Sequence, residues 1–199
     1  MNSFNETFLD QIENQGYAVI DSFLPEQKAL EIASELNKLR AKDIFKKAGI
    51  GKEEDYQIDQ SQRGDYILWI DAENPEGPMA EVIDQFHDLK QVLNRNFYFG
   101  IDHFECHYVH YPVGTHYLKH VDRHKSGSQR IVSFVLYLNE NWKEEDGGQL
   151  RIYRRDGTTA DILPQLGRLA VFLSEMEHEV LTTNRIRNSI TGWMRQREF

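Results

Sequence analysis

His120 and Asp122 stand two residues apart in the stretch KHVDRH, residues 119 to 124, and His178 lies far along the chain at the head of HEVLT. In an extended segment the first two point to the same side, so an imidazole nitrogen and a carboxylate oxygen can converge on one ion. Two histidines and one carboxylate make a facial triad that leaves coordination positions open, an arrangement suited to Fe(II) oxygen chemistry. Zinc is acceptable on ligand type alone. His124 would share the face of His120 and Asp122 only if the strand continued, and the SGSQ that follows predicts a solvent-facing turn instead. If the open positions take dioxygen and a keto acid such as 2-oxoglutarate, the far carboxylate of that acid needs a cation. Arginine suits it best, because its planar fork binds carboxylates bidentately. Arg185 and Arg187 both qualify and share a strand face with Ser189 and Thr191. Tyr137 could donate a phenol hydrogen bond to the same carboxylate.

These residues need a frame. Beyond residue 100, HFECHYVHYP, THYLKHV, RIVSFVLYLN, GGQLRIY, TTADIL, GRLAVFL, HEVLT and RNSITGWM read as short strands separated by Gly, Asn or Asp turns. Along RIVSFVLYLN the residues Val132, Phe134, Leu136 and Leu138 predict a packed face, whereas Ile131, Ser133, Val135 and Tyr137 predict a mixed face able to line a cavity. Before residue 100 the helical signals dominate. They predict one helix over Ser3 to Gln15, a second opened by Pro25 with a stripe of Ala29, Ile32, Ala33, Leu36 and Leu39, and a third from about Pro78 to Asn94. GYAVIDSFL and YILWI read as strands among them, and residues 42 to 63 as a long charged loop of the kind that forms lids or binding loops. The expected fold is α+β: a sandwich or jelly roll with the N-terminal helices packed on one face. The expected organisation is a single domain over 1–199, with 1–100 as helical support and substrate loop and 101–199 as the strand-built core.

Composition narrows the function classes. A chain of 199 residues can bury a core without metal or disulfide staples, so any metal is expected to serve chemistry. The formal charge of −9 is spread along the sequence and argues against nucleic-acid binding, which relies on Lys and Arg against phosphates. Cys106, the one cysteine, excludes an internal disulfide or a thiolate cluster and reads as a small core residue. No apolar run approaches membrane-spanning length and the start lacks signal-peptide character, so a cytoplasmic protein is expected. His103, His107 and His110 read as ordinary hydrogen-bonded strand histidines.

The ordered set YP, HYLKHVD, YLNENW, GGQLRIY, ADILPQLGRLAVFLS, HEV and RNSITGW, with RGDYILWID upstream, covers most of residues 60 to 195. It resembles the Fe(II)- and 2-oxoglutarate-dependent prolyl 4-hydroxylases, in the branch containing the hypoxia-factor prolyl hydroxylases and their bacterial relatives. The resemblance implies a double-stranded β-helix in which His120, Asp122 and His178 bind Fe(II). It selects Arg187, nine residues after His178, over Arg185 for the 2-oxoglutarate carboxylate, with Tyr137 assisting and Tyr111 and Thr191 lining the co-substrate pocket. Trp193 would belong to the substrate-side wall, and Arg63, Asp65 and Arg130 to a substrate loop and its anchoring; on residue type alone, these three fit ordinary surface ion pairing as well as direct substrate contact. The implied activity is C4 hydroxylation of a prolyl residue in a protein loop, using dioxygen and releasing succinate, with ascorbate as reductant. A translation elongation factor is the substrate class suggested by bacterial relatives, with neither nucleic acid nor membrane as partner. The alternative is the same chemistry on a free amino acid or other small molecule. A non-catalytic module would have no need of the triad together with its arginine.

Overall fold

The structure, a computed structural model, describes residues 4–49, 57–123 and 129–197. Three helices precede the main strand region: α1 (Glu6–Gln15), α2 (Glu26–Arg40) and α3 (Met79–Phe97). Helix α1 begins three residues later than its periodicity predicts, because the Asn5 side chain accepts the Phe8 N–H at 3.0 Å and caps the helix there. Helix α3 runs three residues beyond Asn94 and stops where Tyr98 adopts a left-handed conformation, φ 54°.

The strands are β1 (Tyr17–Ile20), β2 (Lys46–Lys47), β3 (Tyr66–Ile70), β4 (Ile101–Tyr111), β5 (Tyr117–His120), β6 (Arg130–Tyr137), β7 (Leu150–Tyr153), β8 (Thr159–Ile162), β9 (Leu169–Leu173), β10 (His178–Val180) and β11 (Arg187–Gln196). They form two antiparallel sheets. The major sheet has the order β1-β9-β6-β11-β4-β3-β2 and the minor sheet the order β5-β10-β7-β8. All eight strands expected after residue 100 are present. The expected loop 42 to 63 is not wholly irregular, since β2 within it pairs Lys46 with Ile67 and Lys47 with Tyr66.

The alternation in β6 explains the layering. Val132, Phe134 and Leu136 face the helices, where they meet Ile32, Leu36, Ile83, Phe86 and Leu89 in one buried cluster. The Phe86 and Phe134 rings lie 4.5 Å apart. Val135 and Tyr137 point the other way, into a second cluster with Leu150, Ile152 and Phe172 between the two sheets. The gap between the sheets thus receives the mixed face of β6, and that is where the cavity opens.

Residues 62–64 help fix the minor sheet relative to the major one. Segment 62–64 lies along the free edge of β5: Gly64 N–H donates to His116 O at 3.0 Å and Leu118 N–H to Gln62 O at 2.9 Å. The same segment then runs into β3 of the major sheet. Within the major sheet, Gly192 in β11 allows close packing against β6 and β4. A Cβ at Gly192 would collide with the Phe134 ring, the Glu105 carbonyl and Cys106. Gly192→Ala is therefore expected to destabilise the fold by about 1–3 kcal/mol, seen as a fall of roughly 3–10 °C in the thermal unfolding midpoint; an unchanged midpoint would contradict this packing.

Candidate active site

β10 pairs with β5 so that His178 lies directly opposite His120. Their rings approach to 4.2 Å between centroids. Each imidazole is oriented by the same device: His120 Nδ1 lies 2.8 Å from the Leu118 carbonyl and His178 Nδ1 lies 2.9 Å from the Met176 carbonyl. A carbonyl can only accept, so Nδ1 carries the proton in both rings and Nε2 is left as a lone-pair donor. Both Nε2 atoms face Asp122, at 3.8 Å from its Oδ1 and 3.5 Å from its Oδ2. One donor atom from each of the three residues fits within 4.8 Å of the others, which suits a single ion.

Asp122 reaches this position differently from the expectation of a continuing strand. β5 ends at His120, and Asp122 is held by its N–H to the Ser174 carbonyl at 3.1 Å. Its Oδ2 accepts the Ser133 hydroxyl at 2.6 Å, and Ser133 is itself 2.9 Å from Ser174 Oγ. Burial alone would raise the Asp122 pKa, but the adjacent imidazoles and the Ser133 bond outweigh it and hold the carboxyl below the usual carboxylate range. Burial and the neighbouring His178 hold His120 neutral to well below the ordinary imidazole range. The site thus pairs a neutral His120 imidazole with a charged oxygen, and a divalent cation requires its imidazole ligands unprotonated. The expected turn at His124 lies outside the described residues.

The three residues line a cavity between the sheets, together with Arg63, Asp65, His107, Tyr111, Tyr117, Arg187, Thr191, Trp193 and several apolar side chains. Arg187 opens β11 opposite Tyr111 and is only 2% exposed. Its Nε donates to the Gly148 carbonyl at 2.9 Å and its Nη1 approaches Ser189 Oγ at 3.4 Å. Among the described residues no carboxylate pairs with it, although a buried charge left unpaired is strongly destabilising. The Tyr111 and Tyr137 rings lie 5.0 and 5.2 Å from its guanidinium carbon. Among the described residues the buried Tyr137 hydroxyl makes no hydrogen bond of good geometry, and burial pushes its pKa up to about 12, so it stays a donor. A guanidinium and a phenol, both buried and both lacking an acceptor of matching charge, fit the far carboxylate of a dicarboxylic keto acid. Arg185, by contrast, is on the surface, bonded to Asp146 at 2.8 Å.

Arg63 and Asp65 depart from the surface-pair reading. Arg63 donates bidentately to Asp65 at 2.7 and 2.8 Å, and Asp65 is 2% exposed. Nη1 of Arg63 also donates to the Gly49 carbonyl at 3.2 Å, and its guanidinium covers the Tyr117 ring at 4.5 Å. Tyr117 in turn stacks on His120 at 3.6 Å, with 16° between the planes. Arg130 stands one layer behind the cavity, on the Trp193 ring at 3.5 Å and bonded to Glu105 at 2.9 Å.

Three participants were not assigned from the sequence. Ser133 was visible as a member of the mixed face of β6. Tyr117 was hidden by parity, because it is three residues from His120 and should face away. The β5–β10 register gains one extra residue on β5 between Tyr117↔Val180 and His120↔His178, and this bulge turns both rings to the same side. His107 differs from the expected satisfied histidine: it is buried at the cavity wall and its Nδ1 has no hydrogen-bond partner. His103 and His110 do have partners, in Asp102 and Asn188.

Burial, reinforced by the charge of Arg63, lowers the His107 pKa from 6.5 to about 4. Between those values the unfolded chain binds a proton that the folded chain does not. The contribution of His107 to stability is therefore complete above pH 6.5 and is lost as pH falls toward 4. In His107→Phe, the loss of unfolding free energy over this window should be shallower by up to about 1.4 kcal/mol per pH unit, measured by denaturant unfolding of the metal-free protein. Equal slopes in the two proteins would place His107 in a solvated environment.

Comparisons with known proteins agree with this geometry. Residues 106–195 match the family model of the 2OG-Fe(II) oxygenase superfamily. A hypoxia-inducible factor prolyl hydroxylase of Caenorhabditis elegans is 31% identical over 94% of this chain, and the chain spans 28% of that protein's length. The crystal structure of a Pseudomonas putida prolyl-4-hydroxylase superimposes with a TM-score of 0.86 at 36% identity, covering 96% of this chain and 98% of that one. A Trichoplax adhaerens prolyl hydroxylase, in complex with a hypoxia inducible factor oxygen degradation domain peptide fragment, gives a TM-score of 0.84 at 26% identity, over 95% and 87% of the two chains. With a jelly-roll core, the paired histidines and a relative matched over nearly its full length, the chain belongs to the prolyl 4-hydroxylase family within the 2OG-Fe(II) oxygenase superfamily.

Proposed function

We propose that this protein is a Fe(II)- and 2-oxoglutarate-dependent dioxygenase that hydroxylates C4 of a prolyl residue in a protein substrate. The observation that carries the reading is the buried Arg187 guanidinium, which has no carboxylate partner among the described residues, beside the Tyr137 hydroxyl, which has no hydrogen-bond partner among them. His120, Asp122 and His178 would hold Fe(II) through two Nε2 atoms and a carboxylate oxygen. Arg187 and Tyr137 would hold the far carboxylate of 2-oxoglutarate, with Tyr111 and Thr191 lining its pocket. When bound, iron with 2-oxoglutarate and dioxygen supplies the oxidising power to convert C–H to C–OH, with succinate and carbon dioxide as co-products.

The protein's own contribution is orientation and exclusion of water. The Leu118 and Met176 carbonyls keep the lone pairs of both imidazoles aimed at one point. Ser133 holds one carboxylate oxygen of Asp122 and so fixes the direction of the other. Tyr117 and Phe172 cover the outer faces of the ligand rings and keep water from them. Arg187 acts as a fixed anchor at the inner end of the cavity, so the keto acid can enter in one orientation only.

A protein substrate is supported by the peptide seen with the Trichoplax relative. Within that class, a proline in a loop of a translation elongation factor is the proposed target, with ascorbate as reductant and the cytoplasm as setting. No helix is long and apolar enough to cross a membrane.

Iron-loaded protein incubated with 2-oxoglutarate and lysate of its host should introduce hydroxyproline, a +16 mass shift, into a discrete protein, and Asp122→Ala should not. Turnover of small molecules with no modified protein would refute the protein-substrate reading. Independently, Arg187→Ala is expected to weaken 2-oxoglutarate binding by about 10²-fold or more, because a charge-assisted bidentate contact is lost. Arg187→Lys should recover only part of this, and an unaffected KM for 2-oxoglutarate would remove Arg187 from the co-substrate pocket.

A further inference from the structure

His107 is the one histidine assigned an ordinary strand role that lies instead in the cavity wall. It faces the interior from β4 alongside Val109 and Tyr111, opposite Thr191 of β11. It is 1% exposed and held edge-on between two indoles, 4.9 Å from Trp69 at 89° and 5.3 Å from Trp193 at 65°. Its Nδ1 is buried and makes no hydrogen bond of good geometry among the described residues. It does not belong to the group of residues able to hold a metal ion.

A spacer between two indoles needs only an apolar ring. A buried nitrogen without a hydrogen bond is destabilising, and a group of this kind calls for a partner that arrives later. The neighbouring charges do not provide one: Arg63 is committed to Asp65 and Gly49, and Arg130 donates to Glu105 on the far side of Trp193. Burial, with the positive charges of Arg63 and Arg130, keeps the ring neutral, so it retains one N–H donor and one lone pair.

A segment centred on a proline presents a particular surface. The bond before the proline is a tertiary amide with no N–H, so the backbone there offers carbonyl oxygens without the usual compensating donor. A wall that recognises it needs a donor, and a neutral donor suits a peptide carbonyl better than the carboxylate of a free amino acid. Resting on the prolyl hydroxylase reading, we infer that His107 is a substrate-specificity residue whose ring N–H donates to a main-chain carbonyl beside the target proline. Trp69 and Trp193 hold the ring edge-on and prevent it from turning away. Its effect is to favour peptidyl proline over free proline.

The test uses the full chain loaded with 2-oxoglutarate and with Zn(II) as a redox-inert stand-in for Fe(II). The probes are capped Ala-Pro-Ala peptide and free L-proline. With labelled imidazole nitrogens, the His107 ring signal, identified by its loss in His107→Gln, should move on addition of the peptide and not on addition of free proline. Peptide affinity should fall about tenfold in His107→Phe, the scale of one neutral hydrogen bond, and stay within about threefold of wild type in His107→Gln, which keeps a donor. Unfolding midpoints and 2-oxoglutarate affinity report on the fold and the co-substrate pocket; if the Phe variant fails to fold, the wild-type ring signal and the Gln variant still decide. An unmoved ring signal with bound peptide, or equal peptide affinity in wild type and His107→Phe, overturns the role of His107 and leaves the prolyl reading standing. Peptide binding that is absent from the wild type overturns both.

Discussion

The site depends on one register. Antiparallel pairing puts His178 across from His120, and residues directly opposed on one face of a sheet have Cβ atoms only about 4.5–5.5 Å apart. Shifting β10 by a single residue would turn His178 to the outer face. Several features guard against such a shift. On its other side β10 is pinned by β7, where His178 lies opposite Ile152. The Ser174 carbonyl, four residues before His178, accepts the N–H groups of both Asp122 and Arg123. The segment that brings in the carboxylate and the segment that brings in the second imidazole are thereby tied to each other before any ion is considered.

A second constraint is electrostatic. The cavity wall contains Asp65, Asp122, Arg63 and Arg187, all in surroundings where an uncompensated charge is unfavourable. Arg63 and Asp65 neutralise each other in a bidentate pair. Asp122 accepts the Ser133 hydroxyl and faces two imidazoles capable of sharing a cation. Arg187 alone keeps a charge with only a carbonyl and a distant hydroxyl for company. The pocket is thus arranged around two opposite deficits, a negative charge at the triad and a positive one at its inner end. A doubly charged cation and a dianion complete it together better than either does separately.

Much of this was legible in the sequence. The β strands after residue 100 were readable because turn residues punctuate them, and the two faces of β6 were readable because alternation survives burial on both sides. The triad and Arg187 could be named because motif order carried them. For Asp122, strand parity suggested a direction, whereas a backbone bond to Ser174 provides it. What stayed hidden depends on long-range geometry. The bulge that brings Tyr117 onto His120 arises from a partner strand some sixty residues away, and no local pattern within HYLKH announces it. The burial of Arg63 and Asp65 likewise follows from segment 62–64 lying along the edge of β5. The loneliness of His107 is a property of what does not surround it, which composition and spacing cannot express.

The two sheets are unequally supported. Helices α1, α2 and α3 contribute to the buried cluster on the major sheet, whereas His120 and His178 sit on a minor sheet built of strands only three or four residues long. Local opening is easiest where few apolar contacts must be broken, and amide exchange should accordingly begin in β5 and β10 before it reaches β6 or β11. An ion bridging His120 and His178 ties together the two strands most inclined to part. Although the fold has enough core to stand without a staple, the same ion that serves chemistry would also act as the fastener of its thinnest layer. Its departure would be felt as fraying at the mouth of the barrel, long before the molecule as a whole unfolds.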